Sequence, residues 1–387
     1  MMAWKVPLSD LDFGPEENAA VMEVLNSRWL TMGAVTQEFE RKFADHIGAR
    51  HALAVSNGTV ALHLACLALG IGPGDEVIVP SLSFVATSNA VLYTGAEVRF
   101  ADIIGPAELT ISPEAIEKLI TERTRAIIVM HYGGYPCRMP EIMAIAAKHG
   151  LAVIEDAAHA PGASLDGKFL GTWGDAGCFS FFSNKNLATG EGGMLVTNRD
   201  DIAEKVRLLR SHGMTSMTWD RHQGHAYSYD VVELGYNYRL DEIRAALGLV
   251  QLKKLAENNR KRAEITGKYW GTFQRFDEFN DFGFPFRFLT GRQGYSPSFH
   301  IFPLILPERL DRAGLVEDLK AGGVQTSLHY PPIHKFTIYR GRFQDLYLPH
   351  TEFAASHLVT LPLYPTMGQA SLETVIAEIR KSLAARV

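Results

Sequence analysis

Cys178-Phe-Ser-Phe-Phe-Ser-Asn-Lys185-Asn-Leu-Ala-Thr-Gly-Glu-Gly-Gly193-Met-Leu-Val-Thr-Asn198 reads as an apolar strand, a loop carrying one lysine, a glycine-rich turn and a second apolar strand. A lysine at the mouth of a sheet is costly packing, because its stem is buried while its ammonium needs water or a partner. Lys185 is therefore the first candidate for a nucleophilic amine. A single lysine in a hairpin loop is ordinarily a solvated surface group, so the reading depends on what surrounds it.

Upstream, short apolar runs alternate with helical ones. Strands are predicted over 51–56, 76–80, 97–102, 125–130 and 151–156, with Asn57-Gly58-Thr59 as a turn and helices over 60–69, after Phe84, after Ser112-Pro113 and over 140–149. Strands separated by helices of this length imply βαβ units and a mostly parallel sheet covered on both faces. The two strands flanking Lys185 bring the sheet to about seven, and Asp200 starts the helix that leaves it. Before the sheet, Pro15 suits the first turn of a helix whose apolar stripe is Val21, Val24, Leu25 and Trp29, and a second helix follows Thr36. After it, a long helix over 241–273 leads to strands over 298–306, 324–330 and 359–362, with helices over 309–321 and 371–384. The expected fold is α/β: a large domain with a central, mostly parallel seven-stranded sheet, plus a smaller α+β C-terminal domain. Its parts are an N-terminal segment over 1–35, the large domain over 36–240, and a connecting helix with the small domain over 241–387.

The composition excludes several classes. With 387 residues, 47% hydrophobic and 21% charged, the chain reads as an ordinary globular protein of more than one core. A net charge of -5 gives no basic field for nucleic acid or an anionic membrane. Residues 1–7 lack the charged and apolar regions of a signal peptide, no apolar run reaches membrane-span length, and the three isolated cysteines read as buried thiols. A cytoplasmic location is expected. Gly70-Ile-Gly72-Pro-Gly74 precedes a strand and contains Pro73, so it is a turn and not a dinucleotide fingerprint. His222 and His225 have no third ligand nearby in sequence, so no metal site is expected.

In a parallel α/β sheet, ligands bind beyond the carboxyl ends of the strands, where helix N-termini point free amides. Three features fall at such ends: Asn57-Gly58-Thr59 entering a helix, Asp156 closing a strand, and Ser180 with Lys185 on the next strand and its loop. A phosphate cradle, a buried acid and a lysine amine together describe a site for pyridoxal 5'-phosphate. The amine binds the cofactor's aldehyde, and the acid keeps the pyridine nitrogen protonated so that the ring acts as an electron sink.

Ordered blocks along the chain carry a family resemblance. They include Trp29-Leu-Thr-Met-Gly33, Val55-Ser-Asn-Gly-Thr59, Gly74-Asp-Glu-Val-Ile-Val-Pro-Ser81, Val153-Ile-Glu-Asp-Ala-Ala158, Gly190-Glu-Gly-Gly193, Gly235-Tyr-Asn-Tyr-Arg239 and His329-Tyr-Pro-Pro-Ile-His334. The chain resembles the sugar aminotransferases of the DegT/DnrJ/EryC1/StrS family, in the fold-type I (aspartate aminotransferase-like) class. That resemblance implies that Lys185 forms the Schiff base with pyridoxal phosphate and later moves the proton. It implies that Asp156 pairs with the pyridine nitrogen, and that Gly58, Thr59 and Ser180 hold the phosphate with Asn237 of a partner subunit. Phe84 would stack on the ring. His159 would stand near the cofactor's phenolic oxygen, where many relatives carry glutamine. Trp29, Thr31, His329 and Tyr330 would border the sugar pocket. One branch of the family replaces the lysine by histidine and dehydrates its sugar, so a lysine here favours transamination. The implied reaction moves an amino group from L-glutamate to a keto group of a nucleotide-linked deoxysugar (a 3- or 4-ketosugar), in a homodimer with shared sites. A keto-cyclitol acceptor and a non-catalytic regulatory homologue are the alternatives.

Overall fold

The alternating pattern folds into one seven-stranded sheet. Its strands are β1 (His51–Val55), β2 (Glu76–Pro80), β3 (Glu97–Ala101), β4 (Thr124–Met130), β5 (Ala152–Asp156), β6 (Ala176–Ser180) and β7 (Gly193–Thr197). The structure, a computed structural model, describes residues 4–216, 219, 224 and 228–385; His222 and His225 lie outside the described residues. The strands lie in the order β1-β7-β6-β5-β4-β2-β3. β2 to β6 pair in parallel, and β7 runs against both of its neighbours, β1 and β6.

Period-two alternation distributes the strand side chains between two faces. Leu53, Val55, Val77, Val79 and Ile128 pack under α3 (Gly58–Ala68), α4 (Ala86–Leu92) and α7 (Asp200–Leu209). Ala54, Ile78, Ile127 and Val129 face the other way, under α2 (Ala34–Ile47), α5 (Pro113–Leu119), α6 (Met139–His149) and the start of α8 (Glu242–Phe273). Both faces are therefore dry, and the strand ends are where polar groups collect. Cys66, Cys137 and Cys178 are free and buried.

The 32-residue α8 is about 48 Å long at 1.5 Å per residue. Beyond it, β8 (Phe302–Ile305) pairs antiparallel with β9 (Leu358–Leu361), and α9 (Arg312–Ala321) and α10 (Gln369–Ala384) pack nearby. The first turn of α8 also holds the N-terminal segment. The buried Glu242 carboxylate accepts from the Gly33, Val35 and Thr36 amides and from the Thr36 hydroxyl, so it caps α2 from a distance. Among the described residues, no helix is long and apolar enough to cross a membrane.

Three expectations need correction. Residues 324–330 do not form one strand. They divide their pairing, with Gly323 and Gln325 bonding Lys5 and Val6 while Ser327 bonds Thr360. The helix α1 (Pro15–Ser27) has no broad apolar stripe: Val24 is buried but Leu25 is exposed. The helix also stops at Arg28, whose left-handed φ of 61° takes Trp29 off its axis. Finally, Asn57-Gly58-Thr59 is not a free turn. Asn57 caps α3 by accepting from the Val60 amide at 3.0 Å, and Gly58 and Thr59 are already helical.

Candidate active site

The N-terminus of α3 lies against the carboxyl end of β6. A Cβ on Gly58 would stand 2.9 Å from Cβ of Ser180, so only glycine lets the helix come this close. Gly193, on β7 opposite Val55, makes the same approach from the other side. A Cβ there would lie 2.5 Å from the carbonyl carbon of Asn57 and 2.8 Å from the Gly58 nitrogen. The first turn of α3, with Thr59 in it and the positive end of the helix dipole, thus lies against Ser180. That is the arrangement a phosphate requires.

Asp156 ends β5 beside this spot and is 4% exposed. Burial raises its pKa, while hydrogen bonds and the Lys185 ammonium oppose the rise. Oδ2 accepts from the Thr87 hydroxyl at 2.7 Å and Oδ1 from the Ala158 amide at 3.2 Å. Because the Thr87 proton is used on Asp156, the 2.6 Å contact between Ser83 and Thr87 has Ser83 as donor. A one-way chain, Ser83 to Thr87 to Asp156, therefore supports the ionised carboxylate.

Lys185 is presented by a loop that is tied down on both sides. Phe181 exchanges backbone bonds with Gly192 and Thr189, Leu187 is buried beside Phe39 and Phe43, and the Asn186 amide group donates to Asn259 Oδ1 and to the Ser298 carbonyl, each at 2.8 Å. The lysine side chain retains some surface, yet protein crowds it closely enough that desolvation pulls its pKa down to about 8, against the attraction of Asp156. About a tenth of the amine is then neutral at pH 7, against a few ten-thousandths at the usual value. A neutral fraction of that size is what an amine needs to act as a nucleophile.

Three buried histidines face this pair. His159 is held far below its ordinary pKa by burial and by Lys185, and His300 likewise by burial and then by the neighbouring His159, Lys185 and Arg262. His329 is lowered to about 4, again mainly by burial. His159 Nδ1 accepts from the Gly133 amide at 3.2 Å, and its Nε2 lies 2.9 Å from the Tyr330 hydroxyl. His329 Nδ1 contacts Thr360 Oγ1 at 3.0 Å, and its carbonyl accepts from the Tyr132 hydroxyl. The half-exposed Phe84 ring stands 5.9 Å from Tyr330, at the open side of the cluster.

The structure therefore brings together Lys185, Asp156, His159, Phe84, His329 and Tyr330, with Ser180 on the strand next to that of Asp156 and Gly58 packed against Ser180 at the start of α3. Trp29 packs edge-on against Trp219, 4.9 Å between ring centroids, and Thr31 is exposed in the segment held by Glu242 and makes no described contact with the lysine cluster. Asn237 is exposed, while its neighbours Tyr236 and Tyr238 stack on each other at 4.9 Å and turn toward His63. Alternation then sends the Asn237 side chain outward. Ser83, Thr87, Asn186 and His300 went unremarked in the sequence. Only the placement of Ser83 and Thr87 four residues apart at the start of a helix following a strand hinted at a role.

The residues fit pyridoxal phosphate in kind: an anion site at the start of α3, a supported buried acid on the neighbouring strand end, an amine beside that acid and an exposed aromatic ring next to Tyr330. Comparison with known proteins agrees. Residues 12–380 match the family model of the DegT/DnrJ/EryC1/StrS aminotransferase family. The chain is 40% identical over 374 residues to the spore coat polysaccharide biosynthesis protein SpsC of Bacillus subtilis, covering 95% of this chain and 94% of that one. Among solved structures it is similar to the aminotransferase TlmJ of Streptoalloteichus hindustanus, with a TM-score of 0.90 and 34% identity over 100% of both chains. It is also similar to Helicobacter pylori PseC, an aminotransferase involved in pseudoaminic acid biosynthesis, with a TM-score of 0.89 and 31% identity over 99% of this chain and 100% of that one.

Proposed function

This chain belongs to the DegT/DnrJ/EryC1/StrS aminotransferase family, and from that premise we propose that it moves an amino group from L-glutamate to a keto group of a nucleotide-linked deoxysugar, with pyridoxal phosphate as carrier. The carrying observation is the Lys185 amine, presented by a tied-down loop beside a buried, hydroxyl-supported Asp156. When bound, the cofactor supplies an electron sink that makes the α-proton of the amino donor acidic. Lys185 Nζ takes that proton from the glutamate α-carbon and, in the second half of the cycle, returns one to the carbon that carried the sugar's keto group. Asp156 holds a proton on the pyridine nitrogen. Gly58, Thr59 and Ser180 hold the phosphate, and Asn237 of a second copy closes the site, so a homodimer is the working unit. Phe84 covers one face of the ring. Trp29, Thr31, His329 and Tyr330 border the acceptor pocket.

The reading favours a sugar over a cyclitol because the curated relative SpsC acts in polysaccharide biosynthesis and PseC in that of pseudoaminic acid. The test is a half-reaction. L-glutamate alone should release one 2-oxoglutarate per cofactor, and adding a nucleotide-linked 3- or 4-ketosugar should restore turnover. Restoration by a keto-cyclitol and by no nucleotide sugar in the panel would replace this acceptor with the cyclitol. No 2-oxoglutarate from a cofactor-loaded protein would remove glutamate as donor.

A further inference from the structure

The hydrogen bonds of His159 determine which way its protons run. The Gly133 amide can only donate, so His159 Nδ1, 3.2 Å away, is the acceptor and carries no hydrogen. The ring hydrogen must then sit on Nε2, and the 2.9 Å contact is a donation from His159 to Tyr330 Oη. The Tyr330 hydroxyl is left with its own hydrogen, for which the described residues supply no acceptor.

That hydrogen has one direction of interest. Pyridoxal phosphate carries its phenolic oxygen and its phosphate arm on opposite sides of the aldehyde carbon. With the arm at Gly58 and Ser180, the phenolic oxygen faces the other flank of the site. His159 and Tyr330 occupy that flank, fixed by Gly133 after β4 and by the segment that follows Val324. His159 has already committed its Nε2 hydrogen to Tyr330.

Resting on the cofactor reading above, we propose that the Tyr330 hydroxyl, oriented by the Nε2–H of His159, is the hydrogen-bond donor to the cofactor's phenolic oxygen. Tyr330 touches the cofactor, and His159 acts through it as a positioning residue. Accepting from His159 also polarises the phenol O–H, which strengthens it as a donor. Burial, and then the nearby Asp156 charge, raise the Tyr330 pKa, so the group stays protonated throughout the working range.

The experiment is a pH titration of the visible absorbance of the cofactor-loaded protein, compared among wild type, Tyr330→Phe, His159→Gln and the double variant. A donor at the phenolic oxygen stabilises the form of the lysine-linked chromophore that has lost its proton. Removing it should move the titration midpoint up by about one pH unit, the worth of one hydrogen bond to a charged oxygen. His159→Gln should move the midpoint in the same direction, and the double variant should move it no further than Tyr330→Phe. Circular dichroism checks that each variant is folded. A Tyr330→Phe protein that titrates like wild type overturns the proposal. In that case a shift in His159→Gln alone assigns the contact to His159, and a raised KM for the acceptor without any spectral shift assigns the hydroxyl to substrate. A wild-type protein with no visible band after loading would instead refute the cofactor reading, so the two failures are distinguishable.

Discussion

Thr87→Val tests the hydroxyl chain beneath Asp156. Valine keeps the shape of threonine and removes its donor. Asp156 Oδ2 then loses its 2.7 Å hydrogen bond, and the buried Ser83 hydroxyl loses the acceptor 2.6 Å away. A hydrogen bond to a charged group contributes about 1.5–3 kcal/mol net, and more is at stake when the remaining partner is buried. Burial already raises the Asp156 pKa, so the loss should raise it by about 1–2 units further. The ionised carboxylate is the form that holds a protonated pyridine nitrogen, so at pH values below the raised pKa cofactor affinity should fall up to about 10- to 100-fold relative to wild type. The acid limb of binding should move to higher pH, because a carboxyl with a raised pKa is neutralised sooner as pH falls. Titrating stripped protein with pyridoxal phosphate, followed by quenching of tryptophan fluorescence at several pH values, measures both effects. Thr87→Ser keeps the hydroxyl and should behave nearly as wild type. If folded Thr87→Val binds with unchanged affinity and pH dependence, the hydroxyl chain has no part in holding Asp156.

Three further outcomes are expected. Gly193→Ala should destabilise the fold by about 1–3 kcal/mol or more in denaturant midpoint measurements, because its Cβ would meet the backbone of Asn57 and Gly58 below 3 Å; an unchanged midpoint would show that α3 can retreat freely. The protein should lose stability as pH falls from 6.5 toward 4. His329 is neutral when folded with a pKa near 4, so the unfolded chain binds more protons across that window and gains about 3 kcal/mol from this group. His329→Gln should flatten that part of a thermal-melt series. Co-assembly of Lys185→Ala with Asn237→Ala chains should recover about a quarter of wild-type activity, since random pairing leaves one intact site in half of the dimers. No recovery would mean that Asn237 serves its own chain.

How far the site could be read in advance follows from how local each signal is. Lys185, Asp156 and Gly58 stand at strand ends or helix starts, and a run of ten residues around each carries its own evidence. The sheet was equally legible, because β2 to β5 are short apolar runs separated by helix-length segments. Thr87 and Asp156 are 69 residues apart, and Asn186 and His300 are 114 apart; no local pattern marks either pair before the chain is folded. Residues 324–330 were misread because a segment has the same alternation whether it pairs with one strand or divides its bonds between two segments. The tautomer of His159 was beyond reach for a related reason: it is set by the Gly133 amide, which no side-chain pattern reports.

The central claim is that Lys185 bonds the cofactor. Purified protein loaded with pyridoxal phosphate, reduced with borohydride and digested, should yield one modified peptide, with the pyridoxyl group on Lys185; Lys185→Ala should yield none while keeping its fold. A label on a different lysine, or a Lys185→Ala protein that still transaminates, would contradict the account.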